Sequence, residues 1–381
     1  MIIQGKIPGT IEPVSIVIEG ETIVRIEHYH EGAQFDFGGR DFYLSPGFFD
    51  PQVNGFAGVD FNGNGLTPEG LHQAGRSLAS FGVTRFLPTL ITACHERIIR
   101  QLKIITSALE NDPFLQRMCP GIHLEGPYIC PDDGPRGVHP REFVRPPRWE
   151  ELRRFQEACG GRIGCITLAP EVEGAIDFIE RAVGDGIVVG LGHTDASETV
   201  IEDAVRAGAR LSCHLGNATP KPSPCHPNPI QKQLAMDPLM VSIITDGIHL
   251  PPDVVKNYVR AKGIDRIVLT TDSMAGAGAS PGRYTLGDLE VEVGPDRTAR
   301  LAGTSRLAGS ALTMDRAITN LIRFAGVDLA PAMKMAAGNA GKLFPEVRGE
   351  IISGDSADLV LFEYQDELRV RSTWIEGQKI F

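Results

Sequence analysis

The chain predicts an α/β fold: a (β/α)8 TIM-type barrel with a small β-sandwich domain built from both termini. Three observations carry that expectation. Through the middle of the chain, strand-like apolar runs alternate with helix-like stretches, the pattern of βαβ units around a parallel sheet. Eight of these runs end near Asp50, Leu90, Glu125, Ala169, His193, His214, Asp246 and Asp272, the number a closed barrel requires. At both ends of the chain the pattern changes to short strands with period-two alternation.

From the N-terminus, S-I-V-I-E-G and T-I-V-R-I-E read as a hairpin turning at Glu19-Gly20. A helix follows over Glu69 to Ser80, a strand over V-T-R-F-L-P-T-L, a second helix over Glu96 to Leu109, and the strand G-I-H-L-E. The runs I-V-V-G-L-G-H, L-S-C-H and R-I-V-L-T-T-D complete the pattern before a helix expected to begin near Ala311. Between Thr219 and Pro229 five prolines fall in eleven residues, so that segment is expected to be a stiff loop, neither helix nor central strand. Near the C-terminus, A-D-L-V-L-F-E and T-W-I-E-G-Q-K-I-F return to the texture of the N-terminal strands. The predicted domains are therefore 1–44 plus 342–381 for the small β unit and 45–341 for the barrel.

Composition narrows the class of protein. With 381 residues and 42% hydrophobic composition the chain can bury a large core, enough for one large domain and an accessory piece. A net charge of −11 and a pI near 5.4 argue against nucleic acid or an anionic membrane as the main partner. The opening residues lack the apolar core of a signal peptide and no run reaches a membrane span, so a cytoplasmic setting is expected. Seven cysteines without a C-x-x-C pair suggest reduced, mostly buried thiols.

The chemistry lies at the strand ends. Glu125, His193, His214 and Asp272 each stand directly after an apolar run, and a parallel barrel brings such positions to one rim. Hydrolytic zinc sites are usually held by three ligands drawn from His and Asp or Glu, a set that Glu125, His193 and His214 supply. A nearby carboxylate then takes a proton from water and returns it to a leaving group, and Asp272 is the candidate. Singly, each residue has an ordinary explanation: a helix-capping Glu, hydrogen-bonded core histidines, an Asp opening a turn. Their recurrence at four strand ends favours a site.

In order along the chain stand H-L-E-G-P (123–127), L-G-H-T-D-A (191–196), C-H-L-G-N-A (213–218), T-D-G-I-H (245–249), L-T-T-D-S (269–273) and L-A-G-S-A-L-T-M (307–314). Together they resemble the N-acetylglucosamine-6-phosphate deacetylases of the amidohydrolase superfamily. The resemblance implies hydrolysis of the N-acetyl amide of an amino sugar, with Glu125, His193 and His214 on a metal and Asp272 as proton acceptor and donor. It also implies a homodimer, with His139, Asn217, Ala218, His249 and the segment Leu307, Ala308 and Gly309 around the substrate. Many amidohydrolases carry an H-x-H pair for a second metal where this chain has Gln52 and Asn54. Neutral amides are poor zinc ligands, so one divalent metal ion is expected, with zinc the expected identity and Gln52 hydrogen-bonding water, substrate or the metal's surroundings. Glu171 is read as structural.

One departure concerns phosphate. The family usually has an Arg in the loop after H-L-x-N-A, whereas here that loop reads P-S-P-C-H-P-N-P. Neither Cys225 nor His226 reproduces a guanidinium fork, which leaves Lys221, His226 or a basic residue from elsewhere as candidates. An unphosphorylated or other N-acyl amino sugar therefore stays open as the substrate, as do another amidohydrolase activity and a non-catalytic sugar-binding protein.

Overall fold

The computed structural model describes residues 1–30, 32, 34–220 and 225–381. Eight parallel strands follow one another around the barrel: β1 (Phe48–Val53), β2 (Val83–Ile91), β3 (Ile122–Glu125), β4 (Ile163–Leu168), β5 (Val188–Leu191), β6 (Leu211–Ser212), β7 (Met240–Ile243) and β8 (Ile267–Leu269). All eight expected runs are barrel strands, and each pairs with its sequence neighbours. The seam between β8 and β1 has no continuous ladder. A single parallel bridge, Val53 to Ser273, spans it, and the buried Asp50 carboxylate reinforces it by accepting from Thr270 Oγ1, Thr271 N and Thr271 Oγ1.

Helices cover the outside. The first, Pro68–Ala79, starts where Thr67 Oγ1 accepts from Gly70 N at 3.1 Å and Pro68 takes a first-turn position that needs no N–H. It buries Leu71, Ala74 and Leu78, and the next helix runs over His95–Asn111. Pro229 opens the helix Pro229–Ala235, capped by Asn228; the proline-rich loop thus ends one residue before the expected limit, because proline is tolerated at N1. The helix expected near Ala311 spans Met314–Ala325. No helix among the described residues is long and apolar enough to cross a membrane.

Both termini feed one seven-stranded sheet in the order Gln378–Lys379, Leu368–Ile375, Leu359–Tyr364, Phe37–Pro46, Ile2–Lys6, Val14–Glu19, Thr22–His28. All pairs are antiparallel except Ile2–Lys6 with Phe37–Pro46. Its apolar cluster contains Ile3, Ile16, Ile23, Leu44, Leu359 and Trp374. Arg85 of β2 reaches Asp358 at 2.6 Å and ties this sheet to the barrel. A further antiparallel sheet, Gly282–Leu286, Leu289–Val293 and Ala299–Leu301, is inserted after β8. It was not among the expected elements.

Candidate active site

The chain turns sharply as it leaves three barrel strands. His193, His214 and Asp272 adopt left-handed backbone conformations, with φ of 53°, 29° and 49°, a region that non-glycine residues rarely enter and that concentrates at functional sites. Gly126, directly after Glu125, has φ +79°, and a Cβ there would lie 2.3 Å from Thr92 Oγ1. At that position only glycine fits.

These turns bring Glu125, His193 and His214 together. Glu125 Oε1 lies 3.0 Å from His193 Nε2 and 2.7 Å from His214 Nε2, and all three side chains are buried. Burial opposes ionisation of Glu125, yet hydrogen bonds from the two imidazoles hold its carboxyl well below the usual range. Burial likewise opposes charging His214, but Glu125 overcomes it and the ring is raised to about 8.

The trio fits a divalent cation. His193 Nδ1 meets the Pro135 carbonyl at 2.9 Å; a carbonyl only accepts, so Nδ1 carries a proton, and Nε2, once it gives up its proton toward Glu125, presents a lone pair. That lone pair faces a carboxylate oxygen, an arrangement that repels unless a proton or cation lies between them. Two imidazoles and one carboxylate form a donor set suited to a transition-series ion.

Asp272 stands against this trio. Its Oδ1 accepts from Gln52 Nε2 at 2.9 Å and Asn54 Nδ2 at 2.7 Å, and no hydrogen bond among the described residues falls on Oδ2. Burial and the neighbouring Glu125 charge push its carboxyl up to about 7, against the opposing influence of His214, His249 and Asn54. Gln52 also donates to Glu125 Oε1 at 2.8 Å and accepts from Cys213 Sγ at 3.0 Å. Its amide bridges the two carboxylates and is not part of the cavity lining.

A cavity of about 720 Å³ opens over the trio, within the size range of small-molecule sites. His139, Asn217, Ala218, His249, Leu307 and Gly309 all line it together with Asp272. Ala308 is fully buried and does not. His139 Nδ1 meets Thr92 Oγ1 at 2.8 Å, and burial followed by the proximity of His193 lowers this ring to about 3, so it is neutral. His249 Nδ1 lies 2.6 Å from Asp246 Oδ2. Glu171 lies elsewhere, accepting from Thr194 Oγ1 and the Asp195 amide.

Of the lining residues that the sequence reading did not place in the site, Asn54 and Arg306 bear most on the chemistry. Asn54 lies in the cavity wall with Oδ1 buried and unpartnered among the described residues, and its place beside Gln52 was the available signal. Arg306 also lines the cavity; its only signal was adjacency to the L-A-G-S motif. Cys225 and His226 are exposed and outside the lining, with His226 Nδ1 2.9 Å from Gln231 Oε1. Lys221 lies outside the described residues.

No family model matches the chain. Individual relatives do: it is 34% identical over 328 residues to the N-acetylglucosamine-6-phosphate deacetylase of Bacillus subtilis (strain 168), covering 84% of this chain and 81% of that protein. The Bos taurus enzyme of the same name is 33% identical over 356 residues, covering 89% and 83%. This chain belongs to the N-acetylglucosamine-6-phosphate deacetylase family. Among solved structures, the Mycobacterium smegmatis deacetylase, an aspartate-to-alanine mutant in complex with N-acetyl-D-glucosamine-6-phosphate, matches with TM-score 0.91 and 28% identity over 100% of this chain and 99% of that one. The Thermotoga maritima deacetylase matches with TM-score 0.86 and 29% identity over 100% and 99%. A Klebsiella pneumoniae 5-methylcytosine deaminase shares the fold alone, at TM-score 0.62 and 13% identity over 100% and 97%. The deacetylase family thus joins a (β/α)8 hydrolase barrel to the candidate divalent-metal site Glu125, His193 and His214.

Proposed function

We propose that this protein hydrolyses the N-acetyl amide of N-acetylglucosamine 6-phosphate to glucosamine 6-phosphate and acetate. The observation that carries the reading is the buried Glu125–His193–His214 trio with Asp272 held against it, in a chain of the deacetylase family. Glu125, His193 and His214 would hold a divalent ion, taken as zinc, which when bound would supply electrophilic pull on the amide carbonyl and acidify water. Asp272 accepts the water proton on Oδ2 while Gln52 and Asn54 fix its other oxygen. A carboxyl poised near neutrality then returns that proton to the departing nitrogen. With the Thr92 hydroxyl donating to His139 Nδ1, the neutral ring carries its proton on Nε2 and presents that N–H to the developing oxyanion. His249, braced by Asp246, Asn217 and the backbone at Ala218, Leu307 and Gly309 bind the sugar.

The remaining assignments belong to the same proposal. The barrel unit is 45–341 and the β unit is 1–44 with 342–381, in keeping with the sheet that joins both termini. A homodimeric assembly rests on the family resemblance, and a cytoplasmic setting on the buried free thiols of Cys119, Cys130, Cys159, Cys165 and Cys213. The test is acetate release from N-acetylglucosamine 6-phosphate by zinc-loaded protein, with loss on chelation and recovery on adding zinc back. Absence of acetate from a sample with stoichiometric metal would sink the reading.

A further inference from the structure

Resting on that reading, we propose that Arg306, in the segment after β8, is the phosphate-selecting residue of this chain. Among the described lining residues, Arg306 is the one permanently charged cation of the cavity. The other basic groups there are the imidazoles of His139, His193, His214 and His249, of which His249 is paired with Asp246 and the rest have the metal and oxyanion roles proposed above. Cys225 and His226, which occupy the place of the family arginine, stand outside the lining.

Arg306 is held at both ends. Its backbone O accepts from Leu301 N at 2.8 Å, its N donates to Thr304 Oγ1 at 3.2 Å, and Leu307 bridges Arg300. Four residues on, Ser310 N donates to the Asp272 carbonyl at 2.9 Å, which ties this segment to the reacting groups. At the far end, Nη2 donates to the Gly137 carbonyl. Gly137 itself lies beside the trio, since a Cβ placed on it would be 3.3 Å from His193 Cε1. Gly137 thus links the guanidinium to the cavity wall, while Arg306 itself stays exposed at the rim of the cavity.

Its bonding capacity is largely unspent. A guanidinium offers five N–H donors in a planar fork, and the Gly137 carbonyl engages Nη2 alone. No carboxylate among the described residues forms an ion pair with Arg306, whereas the lining residue Asp133 is paired with Arg136. An unpaired, oriented fork at the mouth of a sugar-sized cavity matches a phosphate monoester, which accepts bidentate hydrogen bonds from arginine.

The experiment compares kcat/KM for N-acetylglucosamine 6-phosphate and for N-acetylglucosamine in the wild type, Arg306→Gln and Arg306→Lys. The wild type should prefer the phosphorylated sugar. Arg306→Gln should reduce that preference by about 10- to 100-fold, the range of a charge-assisted hydrogen bond, through KM more than kcat, and Arg306→Lys should restore part of it. A preference kept by Arg306→Gln, or absent from the wild type, overturns the inference while leaving deacetylation intact. Binding provides a readout independent of turnover: calorimetry with N-acetylglucosamine 6-phosphate on Asp272→Asn, with and without Arg306→Gln. Weaker binding in the double variant supports Arg306 even if no sugar is hydrolysed, and equal binding overturns it.

Discussion

The rim of the barrel and the sheet built from the termini use the same backbone conformation for opposite purposes. In the sheet, left-handed residues such as Gly20, Glu376 and Gly377 lie in hairpin turns, where they reverse the chain. At the rim they fall on His193, His214 and Asp272 themselves. The sheet hides Ile3, Ile16, Leu359 and Trp374 from water, while the rim hides Glu125, His139, His193 and His214. Burying apolar surface stabilises the fold, whereas burying ionisable groups in strained backbone costs stability and is retained for chemistry.

That contrast predicts separable losses. The largest is Asp272→Asn, which should lower turnover by about 10²- to 10⁴-fold, the usual worth of a general acid–base group. Its metal content and melting temperature should stay near wild type; a melting temperature that falls along with turnover would mean that Asp272 holds the rim together. Trp374→Ala is the converse, expected to lower unfolding free energy by about 3–5 kcal/mol in a denaturant titration. Its kcat per folded molecule should be unchanged, and a parallel drop in kcat would show the two regions to be coupled.

Gly126→Ala tests the join between strain and chemistry. It should cost about 1–3 kcal/mol, and it should also lower activity, because the displaced Thr92 hydroxyl holds His139 at 2.8 Å. Full activity in a destabilised variant would separate the glycine from His139. The smallest effect concerns pH. Burial pushes Asp50 up to about 6, against opposing hydrogen bonds from Thr271, Thr270 and Gln52, and burial raises Asp60 to about 6 as well. An unfolded aspartate loses its proton near about 3.9, so between about pH 4 and about pH 6 the folded state holds the extra proton and stability falls as pH rises. Asp50→Asn should flatten that slope in urea unfolding, and an unchanged slope would remove Asp50 as its source.

Much of the site was legible because each of its four central residues ends an apolar run, and strand order places such ends on one rim. Asn54 and Gln52 show where legibility stopped. Their identity argued against a second metal, but their hydrogen bonds to Asp272 join residues 218 and 220 positions apart. The inserted hairpin carries a period-two signal of its own. Val291 and Val293 face inward while Glu290 and Glu292 face out, and Gly287 turns the chain at φ +62°. Ala308 shows a different limit, since the L-A-G-S motif marks the segment but not which residue reaches the cavity.

By itself the sequence determined the barrel and the strand count and marked the metal-type trio and the aspartate proposed as proton shuttle, because periodicity and residue chemistry are local properties of the chain. Only the tertiary structure decided which side chains share the cavity: Asn54 and Arg306 inside, Ala308, Cys225 and His226 outside. It also decided the charge states, since burial and the Glu125 carboxylate raise Asp272. The physical reason is that desolvation and Coulomb interactions depend on distances closed by folding, across spans of chain that no motif records.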